Sequence, residues 1–239
     1  MNAKKNKIEK VNKLLIGRFG IPKRSKNRPD PLDLLIATIL SQNTNDNNSF
    51  KAFKNLKNRY PSWDLLLDEK RSSIEKQIRV AGLGAAKSEA IQNLIVKLME
   101  DRGTLNLNHI VKMQDEEAIA ELTRYKGIGV KTASCVLLFA LRRNICPVDT
   151  HVHRTLNRIG IVSEKTPDKT FYTLNRNFPG KSAHSFHTNL IRLGREICLP
   201  SKPRCGICPL YQICRYPGKN PGIKEAGKEK EFMLLDSID

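Results

Sequence analysis

Four of the chain's six cysteines fall in one short segment, as Cys198-x6-Cys205-x2-Cys208-x5-Cys214. Thiolates so closely spaced share one centre, and the fold must bend this stretch around it. Structural zinc takes four such ligands, usually as two close pairs separated by a longer stretch. Iron–sulfur clusters also take four cysteines and accept less regular gaps. The spacing favours iron–sulfur and leaves zinc open. The first stretch between the thiols, Leu199-Pro200-Ser201-Lys202-Pro203-Arg204, is basic and carries two prolines. Disulfides are disfavoured if the compartment is reducing. The segment Met1 to Lys13 supports that expectation, since it alternates lysine with polar residues and lacks the apolar stretch of a secretory signal. An intracellular location is therefore expected. Of the other two cysteines, Cys135 lies in an apolar run and reads as core, and Cys146 has no identifiable partner.

Charge narrows the partner. Lysine and arginine number 42 against 24 acidic residues, a formal net charge of +18. The basic residues are spread along the chain among acidic and apolar ones, which argues for a folded protein with a positive face rather than a basic tail. A polyanion is the expected partner, and nucleic acid is the first choice. An anionic membrane surface would attract the same charge. A resident span, however, needs about 20 apolar residues, and the longest run is Cys135-Val136-Leu137-Leu138-Phe139-Ala140-Leu141. No membrane partner is expected, and nothing in the sequence points to an oligomer, so a monomer is expected.

Apolar residues recur at helical spacing nearly throughout, and no window alternates long enough to make a strand. The chain reads as all-α. Asp30-Pro31-Leu32-Asp33 supplies a capping carboxylate, a proline at the first helical position and an acid in the first turn. The run Leu34–Leu40 that follows should be central and buried. Further helices are predicted near 46–59, 72–80, 85–101, 115–124, 130–142, 150–160, 168–177 and 183–197, with Thr166-Pro167-Asp168 as a second capped start. Gly82-Leu83-Gly84 and Phe178-Pro179-Gly180 read as short turns. After Cys214 the composition shifts to Pro217-Gly218-Lys219-Asn220-Pro221-Gly222, read as a linker, and the chain ends in an apolar stretch, Phe232–Asp236.

Between two predicted helices stands Lys126-Gly127-Ile128-Gly129-Val130-Lys131. No strand precedes it, so a dinucleotide fingerprint is excluded on context. A helix-hairpin-helix fits. Its glycines let the backbone turn tightly, and the N–H groups opening the next helix are left to hold an anion. Ile128 would peg the hairpin to its own helices. A glycine-containing turn with no ligand fits the same residues. Lys131 would sit at the positive end of its helix, where the neutral amine is favoured, and a neutral amine is what attack on a sugar carbon requires. Downstream, Val148-Asp149-Thr150-His151 opens another helix with Asp149 as its natural cap.

The hairpin, the Val-Asp-Thr-His run and the four-cysteine loop occur together and in order, and over roughly residues 30 to 216 the chain resembles the endonuclease III family of DNA glycosylases. That resemblance implies two helical domains. Residues 32–142 form a six-helix barrel containing the hairpin. Residues 1–31 with 143–216 form a domain bearing a [4Fe–4S] cluster, 217–239 a linker and tail, and the active site lies in the cleft between the two domains. Carried over by motif, Lys131 is the nucleophile and Asp149 the catalytic carboxylate. Gly127 and Gly129 hold a phosphate, Leu83 is the wedge that fills the space of a flipped base, and Cys198, Cys205, Cys208 and Cys214 ligate the cluster. The cluster in turn shapes a DNA-binding loop at Lys202 and Arg204.

One loop departs from the family pattern. Leu40-Ser41-Gln42-Asn43-Thr44-Asn45-Asp46 puts Asn43 where a glutamine enters the duplex, with Gln42 one residue early. Either side chain can bond the orphan base, while Asn45 and Asn47 read as turn residues. The implied activity is removal of a damaged base from double-stranded DNA, an oxidised pyrimidine first, by base flipping, a lysine Schiff base and β-elimination. The same scaffold acting on mismatched thymine or methylated cytosine, and a non-catalytic DNA-binding module, are the alternatives.

Overall fold

The structure, a computed structural model, describes residues 2–222. Among them are ten α-helices and no strand. The apolar tail Phe232–Asp236 lies outside the described residues. The chain divides into two compact units. One takes in residues up to Lys23 and those from Arg143 onward; the other runs from Arg24 to Arg142.

The Arg24–Arg142 unit is built around α2 (Pro31–Leu40). Asp30 caps it by accepting from the N–H groups of Leu32 (2.9 Å) and Asp33 (3.0 Å), with Pro31 at the first position. Every residue from Leu34 to Leu40 is buried. A fully buried leucine or isoleucine contributes about 1.5–3 kcal/mol of transfer free energy, so α2 is the nucleus against which α3 (Asp46–Arg59), α5 (Gly84–Arg102) and α7 (Val130–Phe139) pack. Between them, α4 (Arg71–Ile78) lies on α5, and α6 (Asp115–Thr123) lies on α7. Short 3-10 turns at Trp63–Leu66, Arg79–Ala81 and Asn108–Lys112 make the corners. Cys135 is buried in α7, as its apolar run predicts.

The other unit holds α1 (Asn2–Phe19), α8 (Thr150–Ile159), α9 (Pro167–Asn175), α10 (Ala183–Glu196) and the cysteine loop. Helix α1 was not expected. Its lysines hide an apolar stripe, Ile8, Val11 and Leu15, which is buried against α10. Lys7 Nζ donates to the carbonyls of Ile159 (2.9 Å) and Gly160 (3.0 Å), closing the C-terminal end of α8. Lys4 reaches Thr173 O in the same way. Thr166 caps α9 as predicted, accepting from Lys169 N–H. Helix α10 crosses α8 where Gly194 meets His151: a β-carbon at Gly194 would stand 2.8 Å from that of His151. No helix among the described residues is long and apolar enough to cross a membrane.

Candidate functional site

In the Arg24–Arg142 unit, three exposed backbone features gather around α5 and α7. The hairpin is the first. Helix α6 ends at Thr123, Gly127 takes φ +84°, Ile128 is buried to 5% exposure as the expected peg, and Gly129 is extended at the start of α7. No side chain caps α7. A helix start without a capping side chain presents its first N–H groups and positive macrodipole end to an incoming anion. Lys131 is the second residue of this helix and is half-buried. Lys126, exposed, pairs with Glu89 of α5 at 2.6 Å.

The loop after α2 is the second feature. Gln42 Nε2 donates to Gly127 O (3.1 Å) and to Thr132 Oγ1 (3.3 Å), so this side chain binds the loop to the hairpin. Asn43 is exposed and left-handed, φ +51°. The third is Leu83, 56% exposed, at φ +52° and immediately before α5. A branched apolar residue in that backbone region costs about 1–2 kcal/mol and is seldom left in water without a use.

Beneath the second and third features lies Lys87, which the sequence reading passed over. It is 2% exposed, and its Nζ donates to Leu40 O (2.8 Å) and Ala81 O (2.9 Å). Burial pulls its ammonium down to about 8. A signal existed: Lys87 falls on the stripe of α5 that continues through Ala90, Ile91, Leu94 and Leu98, all buried, and a cation on an apolar stripe is either paired or misplaced.

In the other unit, Asp149 is half-buried and accepts the N–H of Val152 at 2.8 Å, capping α8 as predicted. The backbone leading to it is clamped. Asn175 bonds both the N–H and the carbonyl of Cys146 (2.8 and 3.0 Å), and His187 Nδ1 lies 2.9 Å from Pro147 O. Cys146 thus sits at a backbone anchor.

The four thiols, none in a disulfide, line one small pocket with Arg158, Pro203, Tyr211 and Tyr216. Among the described residues no group of three His, Cys, Asp or Glu could hold a single metal ion; the sulfurs ring a space instead. Burial, reinforced by the other three thiols, pushes Cys208 up to about 12. Four thiolates therefore coexist here only with a positive centre among them, which suits a cluster of iron ions. Two arginines of α8 hold the loop. Arg154 donates to Gly194 O (2.8 Å) and Cys198 O (2.9 Å). Arg158 donates to Leu199 O and Pro200 O, stands 3.5 Å from Cys198 Sγ, and stacks over Tyr216. Neither arginine was singled out in the sequence, since nothing in their spacing marks them. Lys202 is exposed, whereas Arg204 is half-buried and donates from one guanidinium nitrogen to Glu196 O (3.0 Å) at the end of α10.

Comparison with known proteins yields consistent matches. The family model of HhH-GPD superfamily base excision DNA repair proteins matches residues 36–180, and that of the iron-sulfur binding domain of endonuclease III matches 198–214. Endonuclease III of Thermotoga maritima is 32% identical over 209 residues, covering 87% of this chain and 92% of the relative. A chain of Arabidopsis thaliana assigned as a DNA glycosylase is 41% identical over 169 residues, covering 70% of this chain and 57% of the relative, which is thus considerably longer. A non-covalent complex of endonuclease III with DNA superposes with a TM-score of 0.74 at 27% identity, covering 88% of this chain and 95% of the other. A trapped covalent intermediate of endonuclease III with DNA gives 0.73 at 28%, with the same coverage.

Proposed function

The chain belongs to the HhH-GPD superfamily of base excision DNA repair proteins, in its endonuclease III branch, with an iron–sulfur binding domain, and on that premise we propose that it is a bifunctional DNA glycosylase and abasic-site lyase whose amine is Lys131. The observation that carries this reading is the position of Lys131 in the first turn of α7, a helix with no capping side chain, directly after the Gly127–Gly129 turn. Phosphate bound by the backbone N–H groups of that turn would bring the sugar of one nucleotide within reach of the neighbouring amine.

A base inside the stack cannot be reached, so the duplex is bent and the nucleotide rotated out, with an apolar side chain filling the gap. Leu83 is the wedge, and Asn43, exposed one residue beyond the tethered Gln42, faces the orphan base. As the C1′–N bond breaks, its electron pair leaves with the base, and the carboxylate of Asp149 stabilises the positive charge growing on the sugar. Nζ of Lys131, having given up its ammonium proton, bonds C1′; a proton then passes from the nitrogen to O4′ as the C1′–O4′ bond opens, which leaves an iminium. Loss of a C2′ proton expels the 3′ phosphate, and water releases the lysine. The base removed is an oxidised pyrimidine in double-stranded DNA.

Cys198, Cys205, Cys208 and Cys214 would hold a [4Fe–4S] cluster. When bound, the cluster supplies the positive centre that lets four thiolates coexist and so fixes the loop bearing Lys202. Arg154 and Arg158 secure the same loop from α8.

Borohydride trapping tests the reading. Duplexes carrying an abasic site, an oxidised pyrimidine, an oxidised guanine, a methylated cytosine or a G·T mismatch are incubated with the wild type and with Lys131→Ala. A covalent adduct confined to the wild type, strongest with the oxidised pyrimidine, is expected. An adduct retained by Lys131→Ala removes that residue from its role. No adduct on any duplex, from folded and iron-loaded protein, overturns the lyase.

A further inference from the structure

Lys87 is placed at two costs. It lies in the first turn of α5, where the macrodipole disfavours a cation, and it is almost wholly out of water. Burying an ammonium is unfavourable unless strong acceptors replace water. The acceptors here are two carbonyls left without helical partners, Leu40 O at the end of α2 and Ala81 O at the end of the Arg79–Ala81 turn. Each carbonyl precedes one of the exposed left-handed residues closely: Asn43 lies three residues beyond Leu40, and Leu83 two beyond Ala81. A single charged group therefore joins the roots of two otherwise separate loops. The connection is short and directional on both sides, so it fixes the distance between the loops' roots more tightly than apolar contact would.

We propose that Lys87 is a positioning residue which sets the separation of Asn43 and Leu83, so that the two side chains enter the duplex together. The inference rests on the DNA glycosylase reading and adds a device to it. Leu83 fills the space of the flipped nucleotide while Asn43 meets the base left behind, and each is useful only if the other stands at the right spacing. With the Nζ bonds removed, the loops drift independently, and each insertion has to find its place without the other. Misplacement of about 1 Å costs on the order of 100-fold in a reaction that depends on alignment.

The test uses the full-length, iron-loaded protein and Lys87→Met, which keeps the chain's bulk and removes its donors. Three readouts are taken: single-turnover base release from a lesion duplex, cleavage at a preformed abasic site in single-stranded DNA, and fluorescence of 2-aminopurine opposite the lesion, which reports unstacking. The expected result is a loss of about 100-fold on the duplex, a weakened 2-aminopurine signal, and single-strand cleavage close to wild type, because a single strand requires no insertion. In the Asn43→Ala/Leu83→Ala background the same Lys87→Met change should cost little more, since residues that act as a unit are not additive. Equal losses on duplex and single strand, or additive losses in that background, would mean that Lys87 merely stabilises the fold and would overturn the proposal. Where the methionine variant does not fold, Lys87→Gln keeps a shorter, uncharged amide donor group and should show the same pattern at smaller size. A wild type that neither cleaves nor unstacks any duplex overturns the glycosylase reading itself; a wild type and Lys87→Met that act equally on duplex overturn only the role of Lys87.

Discussion

The β-carbon of Ala90 stands 2.8 Å from where a β-carbon on Gly127 would lie. The hairpin turn is thereby pressed against α5, the helix that Leu83 immediately precedes. Gly127 is excluded from substitution twice over, by this contact and by its φ of +84°. Gly129 differs: its backbone is extended, and a β-carbon there would meet nothing within 4 Å.

Gly127→Ala should lose about 1–2 kcal/mol to left-handed strain and about 1–3 more to overpacking, read as a lowered urea midpoint. Adding Ala90→Gly should recover the packing part and leave the strain. Gly129→Ala should unfold within about 0.5 kcal/mol of wild type yet bind DNA more weakly at a fixed salt concentration, because the added methyl borders the N–H groups that open α7. Equal stability losses at the two positions would contradict this division of roles.

Asp149 has a structural and a chemical part, and two substitutions separate them. Asparagine is as good a cap as aspartate, so Asp149→Asn should melt near wild type, whereas Asp149→Ala should lose about 1 kcal/mol. Both remove the charge, and base release should fall by about 100-fold or more in each. Normal base release by Asp149→Asn would restrict Asp149 to capping.

Much of this was readable beforehand because it rests on local rules. Asp30, Thr166 and Asp149 cap their helices through bonds spanning two or three residues, and Ile128 between two glycines has nowhere to go but inward. Helix α1 was missed because Lys4, Lys5, Lys7, Lys10 and Lys13 obscure the Ile8–Val11–Leu15 stripe; only burial against α10 gives that stripe meaning. Lys87, Arg154 and Arg158 were missed for a different reason. Their partners are backbone carbonyls, of Leu40 and Ala81, of Gly194 and Cys198, and of Leu199 and Pro200. Every residue has a carbonyl, so no motif marks such a partner. Arg204 likewise has a backbone carbonyl, that of Glu196, as a partner that its sequence position does not mark.

Lys202 and Arg204 should therefore respond differently to salt. A phosphate contact releases counterions when it forms, so Lys202→Ala should lower the slope of log affinity against log salt by about 1. Arg204→Ala should leave that slope alone and loosen the end of α10, where its donor meets Glu196 O; a lower melting temperature and faster iron loss should report it. A slope change in Arg204→Ala would return that residue to the DNA surface.

Acid should act on the cysteine-bearing unit through His151. Its Nδ1 lies 3.2 Å from Arg154 Nη2, and a permanently charged guanidinium can only donate there, so the ring is neutral with Nδ1 as acceptor. Burial, joined by the charges of Arg154 and Arg195, holds its pKa below the ordinary 6.5, with Asp149 and Gly194 opposing. The unfolded chain then binds more protons in the window between the folded value and 6.5, so stability must fall as pH drops below 6.5 and be flat above it. Protonation would also turn Nδ1 into a donor facing Arg154, the residue that holds Cys198 O. The difference in urea midpoint between the wild type and His151→Gln, which does not titrate, should shrink from neutral pH toward pH ~5. Iron loss from the wild type should accelerate over the same range. A difference that stays constant across that window would show that His151 is not held neutral and that Arg154 keeps its grip on Cys198 by other means.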